Sequence, residues 1–288
     1  MQLSTTISIY YKYADGAVRP IPDAIRDAVN AGFTVLDFPF HAVPFLSDGE
    51  DWHTPVLEAR AVADSLGARF RYAHVPFSFP AADDTDGWAH FSRKVCRAIE
   101  AASVLGVEWA AIHPHAPAAP DYSFDAALAH NIEHLTPFVR HAREYGVGLA
   151  VENMCDRAMI HLRRFCATVE ELITLVDALG GGVGVVLDTG HASESGLDHY
   201  ASILKLGKKL NMLHINDNFG LDDDHLAPFL GKIRWLRVMD ALREIGFEGD
   251  LNFEVNTGRI PSDATTAHDT YVAYIRAIGE YLVGKYNL

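Results

Sequence analysis

The amino-acid sequence predicts an α/β fold of a single domain, a (β/α)8 or TIM barrel over residues 1–288. Eight short apolar runs alternate with longer stretches of helical periodicity, and several of those stretches end on a glycine near the next run. No linker rich in Pro, Gly or Ser divides the chain. A doubly wound open sheet is the alternative, but it normally has fewer repeats, and no G-x-G-x-x-G follows the first run.

The apolar runs are predicted to be the strands of the barrel. They are rich in β-branched and aromatic residues and too short for helices, which is typical of parallel strands buried on both faces. In chain order they are residues 3–9, 33–39, 69–75, 108–114, 146–152, 183–188, 211–217 and 250–255.

The stretches between these runs are predicted to be amphipathic helices. The clearest are residues 21–32, 54–67, 87–106 and 124–146. Several helical stretches end on glycine, the residue that most readily adopts the left-handed conformation of a helix C-cap. These glycines are Gly32, Gly67, Gly106, Gly146 and Gly246.

The composition argues against several kinds of partner. The chain has 38 acidic and 24 basic residues and a formal charge of −14, which repels nucleic-acid phosphates and anionic lipid. Its three cysteines form no C-x-x-C pair, as in a reduced cytosolic protein. The first residues lack the pattern of a secretory signal, and no run of about 18 apolar residues occurs. We therefore expect a cytoplasmic protein that binds neither nucleic acid nor a membrane.

Three carboxylates stand at the ends of predicted strands, where a barrel has its active site. Glu152 ends GLAVE, Asp188 ends VVLD, and Glu254 ends LNFE. Buried unpaired charges are very costly, and a divalent cation neutralises three neighbouring carboxylates more simply than a network of salt bridges does. With His214 in the seventh strand, these residues predict a metal site.

The ligand types narrow the choice of metal. Three carboxylates and one imidazole suit Mn²⁺, Mg²⁺, Co²⁺ or Zn²⁺ better than copper, and the absence of cysteine argues against a structural zinc site. The sequence leaves the identity of the divalent metal open.

Seven motifs, in this order, resemble those of the xylose isomerase-like barrels. That family includes sugar-phosphate isomerases and epimerases, ketose 3-epimerases, hydroxypyruvate isomerase, inosose dehydratase and the endonuclease-four class of abasic-site nucleases. The resemblance covers nearly the whole chain and implies a TIM barrel and a homo-oligomer. The motifs are AHVPF (73–77), IHPH (112–115), VEN (151–153), LDTGHA (187–192), LHINDN (213–218), DDDHLAPFLGKIRW (222–235) and GFEGDLNFEV (246–255).

The resemblance also implies roles for particular residues. The shared metal ligands of the family are matched by Glu152, Asp188, His214 and Glu254. Glu152 and Glu254 also match the opposed acid/base pair of the sugar enzymes. Positions that line the substrate pocket, or bind further metal ions in the nuclease class, are matched by His74, His113, His191, Asp217, Asp223 and His225.

These roles imply a metal-dependent isomerase or epimerase of a sugar, sugar phosphate or polyol. In such enzymes a carboxylate removes a carbon-bound proton, and the metal stabilises the resulting enediolate. An inosose dehydratase-like lyase uses the same chemistry and is an alternative. A barrel that only binds a ligand is another, but we expect it to lack a metal ligand, and all four are present.

An abasic-site nuclease with several zinc ions is the main rival from a different class. All nine ligand positions of that class are occupied, including the D-x-H pair of Asp223 and His225. The charge of −14 and the lack of basic clusters weigh against DNA binding.

Two positions bear on the substrate. Ketose 3-epimerases of the family carry an arginine six residues after the strand-seven histidine, where this chain has Gly220. Arg157, shortly after Glu152, is a candidate for contact with a phosphate or carboxylate, or else a surface residue.

Overall fold

The computed structural model describes residues 1–81, 83–119, 121–156, 163–257 and 259–287. Arg157 lies outside these ranges. Eight strands form one parallel sheet, and each lies within or close to a predicted apolar run. They are β1 (Leu3–Thr6), β2 (Val35–Pro39), β3 (Arg69–His74), β4 (Trp109–Ile112), β5 (Gly148–Glu152), β6 (Val183–Asp188), β7 (Leu210–His214) and β8 (Leu251–Phe253).

The sheet is a nearly closed barrel. Its strand order is β7-β6-β5-β4-β3-β2-β1-β8, so all neighbours are consecutive except β1 and β8, which pair directly. Between β7 and β8 a parallel bridge joins Ile215 to Phe253, with hydrogen bonds on both sides of it. The predicted (β/α)8 barrel is therefore confirmed.

Helices connect the strands on the outside of the barrel. Gly106 and Gly246, at the ends of α4 and α9, adopt the predicted left-handed conformation, with φ of 78° and 62°. The helices are α1 (Ser8–Tyr11), α2 (Ile21–Asn30), α3 (His53–Ser65), α4 (Thr85–Leu105), α5 (Phe124–Glu144), α6 (Val169–Leu179), α7 (Thr189–Glu194), α8 (His199–Leu206), α9 (Trp235–Ile245) and α10 (Thr265–Tyr286).

Alternation along the strands separates two apolar clusters. The larger includes residues such as Leu36, Val151 and Leu213. A smaller cluster of alternate strand residues includes Val35, Ala150 and Met212. In the part of the chain that the structure describes, no helix is long and apolar enough to cross a membrane.

Polar residues concentrate where the strands end. The carboxyl ends of all eight strands meet at one mouth of the barrel. The pairing of β6 with β7 puts Asp188 opposite His214, and Glu152 is opposite Val186. This register brings predicted site residues from different strands to one place.

Candidate metal-binding active site

A cavity of about 370 Å³ opens at this mouth of the barrel. A volume of this size is within the usual range for a small-molecule site. Histidines and carboxylates occupy much of its wall. The lining residues are Ser8, Lys12, His41, His74, Phe77, His113, Glu152, His191, Asp223, His225, Glu254, Val255, Asn256 and Thr257.

The four predicted metal ligands converge beside this cavity. One donor atom from each of Glu152, Asp188, His214 and Glu254 lies within 4.8 Å of the other three. His214 Nδ1 is 3.3 Å from Glu152 Oε1 and 3.1 Å from Glu254 Oε2. Asp188 and His214 are fully buried, and Glu152 and Glu254 reach the cavity.

Neighbouring groups orient the carboxylate of Asp188. Its Oδ1 accepts a hydrogen bond from the backbone N–H of His191 at 2.6 Å, which caps the first turn of α7. Its Oδ2 accepts from the side-chain amide of Asn216 at 2.7 Å. The side chain is thereby held in one direction, as ligands of a metal site usually are.

Several buried polar atoms of this group have no hydrogen-bond partner among the described residues. They include Glu152 Oε2 and both ring nitrogens of His214. Buried polar atoms in proteins are nearly always paired, so unpaired ones need an explanation. Donor atoms that face one another without hydrogen bonds are the arrangement expected around a cation, and the residues present therefore fit a divalent metal.

The electrostatics of the group agree with this interpretation. Burial alone would lower the pKa of His214, but Glu254, Glu152 and Asp37 raise it to about 10. Burial raises the pKa of Asp188. Burial alone would raise the pKa of Glu152, but the neighbouring His214 and His113 hold this pKa well below the usual value. The carboxylates thus favour positive charge at the centre of the group.

His74, at the end of β3, and His113, just after β4, contact Glu152. Their Nε2 atoms lie 3.3 and 3.2 Å from Glu152 Oε2 and 3.1 Å from each other. His74 Nδ1 donates to the carbonyl of Val75 at 2.8 Å, which fixes the direction of its ring. Both histidines line the cavity, where the sequence predicted them.

The side chains of His191, Asp223 and His225 contact one another on the cavity wall, with Asp223 between the two histidines. Asp223 Oδ2 is 3.4 Å from His191 Nε2, and its Oδ1 is 3.1 Å from His225 Nε2. His225 has a left-handed backbone, with φ of 48°, and its Nδ1 donates to the carbonyl of Glu254 at 2.7 Å. Burial opposes the charge on His225, but Asp223 raises its pKa to about 10. The three residues thus form a charged network at the cavity.

Asp217, which the sequence predicted at the pocket, has a different environment from the other predicted residues. Asp217 is fully buried and is not part of the cavity wall. Its carboxylate accepts hydrogen bonds of 2.8–3.1 Å from the backbone N–H groups of Phe229 and Ile233 and from the indole N–H of Trp235. Asp217 therefore holds the segment between β7 and α9 in place.

The structure also brings residues to the site that the strand-end argument missed. Asp37 of β2 is buried below the mouth, and its Oδ2 lies 3.9 Å from His214 Nε2. Burial raises its pKa to about 6. The available signal was an acid within an apolar run, since Asp37 lies inside the second run and not at its end. Lys12 and His41 gave no such signal, because they lie in segments between strands.

Gly220 has a structural reason to be glycine. Its φ of 76° is in the left-handed region, and a Cβ atom there would collide with the side chain of Lys232. An arginine at position 220 therefore requires both a strained backbone and a shift of Lys232.

The comparison with protein families agrees with the motifs. The profile of the xylose isomerase-like TIM barrel family matches residues 25–277. The chain belongs to this family.

Solved structures of sugar epimerases are similar over the full length. A D-tagatose 3-epimerase-like protein has a TM-score of 0.79 and 21% identity, covering 100% of this chain and 98% of that one. D-psicose 3-epimerase, crystallised with D-fructose, has a TM-score of 0.74 and 18% identity, covering 99% and 100%. At such low identity the similarity shows the fold alone.

Curated relatives match in part. An uncharacterized protein of Methanocaldococcus jannaschii is 28% identical over 193 residues, which are 65% of this chain and 63% of that protein. D-psicose 3-epimerase of Enterocloster bolteae is 32% identical over 83 residues, 28% and 26% of the two chains. The chain spans less than two thirds of the length of these relatives.

Proposed function

We propose that this protein is a divalent-metal-dependent isomerase or epimerase of a sugar or sugar phosphate. The observation that carries the proposal is the position of two carboxylates. Glu152, from β5, and Glu254, following β8, both line the cavity and both lie against Nδ1 of His214. Two such groups, entering from different strands, suit removal and return of a carbon-bound proton.

We assign the acid/base roles to Glu152 and Glu254 and the metal to these two residues with Asp188 and His214. A bound Mn²⁺, Mg²⁺, Co²⁺ or Zn²⁺ would supply Lewis-acid stabilisation of negative charge on substrate oxygens. One glutamate takes the proton from carbon to give an enediolate, and a glutamate returns a proton to the same carbon or its neighbour.

The histidines on the wall would orient the substrate. His74, His113 and His191 face the cavity with ring nitrogens that can bind hydroxyl groups. Asp223 and His225, which belong to the charged network, would complete this wall. The sugars after which the similar structures are named or with which they were crystallised, D-tagatose, D-psicose and D-fructose, are small molecules of the kind that a cavity of this volume can hold.

The proposal is tested by turnover and by hydrogen exchange at carbon. Glu152→Gln should reduce turnover of an accepted sugar about 100-fold or more, because proton transfer by a positioned side chain contributes about 10²–10⁴-fold. It should also slow the appearance of deuterium on the substrate in D₂O, followed by NMR. Metal content is measured alongside, so that loss of the ion and loss of the base are separated.

Glu144→Gln on the exposed end of α5 is the matched control and should keep full activity. If Glu152→Gln retained wild-type turnover and exchange, the assignment of the acid/base pair would be wrong. A product that has lost water would instead point to the lyase alternative.

The abasic-site nuclease has less support. Within the described ranges, the candidate metal groups are the four-ligand group and one of His74, Glu152 and His214, which shares two of its members. His191, Asp223 and His225 contact one another but form no separate group of this kind in the described chain, and His191 Nδ1 lies 3.5 Å from Glu152 Oε1.

We also propose that the protein forms a homo-oligomer through the segment between β7 and α9. Large apolar side chains are exposed there, including Phe219, Leu221, Phe229 and Leu230. Apolar exposure concentrated in one segment is typical of an interaction surface. A monomeric mass by light scattering at micromolar concentration would contradict this part of the proposal.

A further inference from the structure

The loops that follow β8, β1 and β2 form one side of the cavity. Lys12 lies there in the segment between β1 and α2, with His41 after β2 and Thr257 after β8. Of the cavity-lining residues that the structure describes, Lys12 is the only lysine or arginine. The cavity therefore has the positive charge of Lys12 on this side and the carboxylates of Glu152 and Glu254 at the candidate metal centre.

The backbone that carries Lys12 is held in a defined turn. Lys12 and Val18 form an antiparallel bridge at the base of this turn. Within it, the carboxylate of Asp15 accepts a hydrogen bond of 3.0 Å from the backbone N–H of Ser262. Because the turn is tied both to itself and to the segment after β8, Lys12 has a fixed place at the edge of the cavity.

The ammonium group of Lys12 has neither a hydrogen bond nor an ion pair with any other described residue. Acidic residues outnumber basic ones by 38 to 24, and neighbouring cations find partners, as Arg19 does with Asp27. Lys12 therefore has no carboxylate counterion among the described residues.

A second unpaired group belongs to His41, another residue of the cavity wall. His41 Nδ1 is buried and has no hydrogen-bond partner in the described residues. Its ring packs against the rings of His74 and Phe77, with centroids 4.9 and 5.0 Å away, which fixes its position. A buried polar atom that no protein group satisfies can be satisfied by a bound molecule.

We propose that the substrate carries an anionic substituent, a phosphate ester or a carboxylate, which Lys12 binds with His41 beside it. The proposal rests on the isomerase function and specifies its substrate class. An anionic group would be repelled by the glutamates at the metal centre, so it lies toward Lys12 while the reacting carbons lie toward Glu152 and Glu254. A compact ammonium charge suits either anion.

The test compares three probes that differ in one substituent: D-fructose, its phosphate ester and D-fructuronate. Each is titrated by calorimetry into metal-loaded wild type and into the variants Lys12→Met and Lys12→Arg. We expect the wild type to bind one of the anionic probes about tenfold or more tightly than D-fructose. Lys12→Met should lose this preference, and Lys12→Arg should keep most of it. The anionic probe that binds more tightly shows whether the site prefers a phosphate or a carboxylate.

Lys285→Met, at an exposed position on α10, is the matched control and should leave all affinities unchanged. Equal affinity of the wild type for all three probes, or an anion preference that survives in Lys12→Met, would overturn the inference. The two proposals fail separately. An anion preference without dependence of turnover on Glu152 removes only the isomerase assignment, and Glu152-dependent turnover without that preference removes only the role of Lys12.

Discussion

Asp37 lies within ion-pair distance of the ring nitrogen of His214 that points away from Glu152 and Glu254. A metal-binding histidine usually has its second nitrogen directed at a carboxylate or carbonyl, which fixes the ring and increases its basicity. Asn252 donates to Asp37 Oδ2 at 2.7 Å and so orients this carboxylate. We therefore propose Asp37 as a positioning residue for the proposed metal site.

Asp37→Asn should weaken metal binding about 10- to 100-fold, the usual effect of removing such a partner. Calorimetric titration of the metal-free protein with Mn²⁺ measures it. Asp83→Asn, an exposed position in the loop before α4, is the control and should not change the affinity. Unaltered Mn²⁺ affinity in Asp37→Asn would show that Asp37 does not position the metal-binding residues.

Metal binding should release protons at neutral pH. In the absence of metal, the neighbouring carboxylates raise the pKa of His214 to about 10, so its ring carries a proton at pH 7 that a metal must displace. Affinity should therefore rise with pH below this pKa. Calorimetry in two buffers of different ionisation enthalpy should show about one proton released per ion. Release of no proton would mean that His214 is not a ligand or is already neutral.

The sequence predicted the residues of the centre better than their surroundings. Glu152, Asp188 and Glu254 were found because each acid ends an apolar run, and the structure brings them together with His214. Their roles as metal ligands stay a prediction. Asp217 lies away from the cavity wall because the direction of a side chain just after a strand depends on the loop that packs on it. Lys12 and His41 could not be predicted at the site, because only the closed barrel brings their loops to the cavity.

Among the elements, the segment between β7 and α9 has one buried carboxylate that binds several of its parts. Asp217 accepts hydrogen bonds from Phe229, Ile233 and Trp235, far along the chain from its own position. In the same segment Leu226 forms an antiparallel bridge with Asp217. This packing places Asp223 and His225 on the cavity wall.

Asp217→Ala should lower the free energy of unfolding by about 3 kcal/mol, because it leaves several buried donors without an acceptor. Urea denaturation measures this change. Asp222→Ala, an exposed neighbour, is the control and should have little effect. If Asp217→Ala unfolded at the wild-type urea concentration, the carboxylate would not be holding the segment.

Seven of the eight strands are shorter than the apolar runs that predicted them, and β6 has the predicted bounds. The first run covers residues 3–9, but β1 ends at Thr6 and α1 begins at Ser8. The eighth run reaches residue 255, but β8 ends at Phe253. The first loop residues are also apolar, because they pack at the mouth of the barrel. Hydrophobicity alone therefore does not show where the pairing between strands ends.

At the scale of the whole molecule, the repeated alternation of strand and helix was sufficient to predict the barrel. Each repeat carries an apolar run and a helical stretch. Several of these stretches end near a glycine, and parallel strands that follow one another along the chain pair in that order. The shape of the cavity was not predictable in this way, because it depends on loops from every side of the barrel.

We propose that Glu152, Asp188, His214 and Glu254 together hold one divalent metal ion. Elemental mass spectrometry of protein purified without chelator or added metal, on the wild type and on His214→Ala, measures this. We expect about one Mn, Co, Mg or Zn ion per wild-type chain and a large loss of that ion in His214→Ala. A wild type that contains no metal and takes up none on titration would show that these residues form no metal site, and unchanged metal content in His214→Ala would show that His214 is not a ligand.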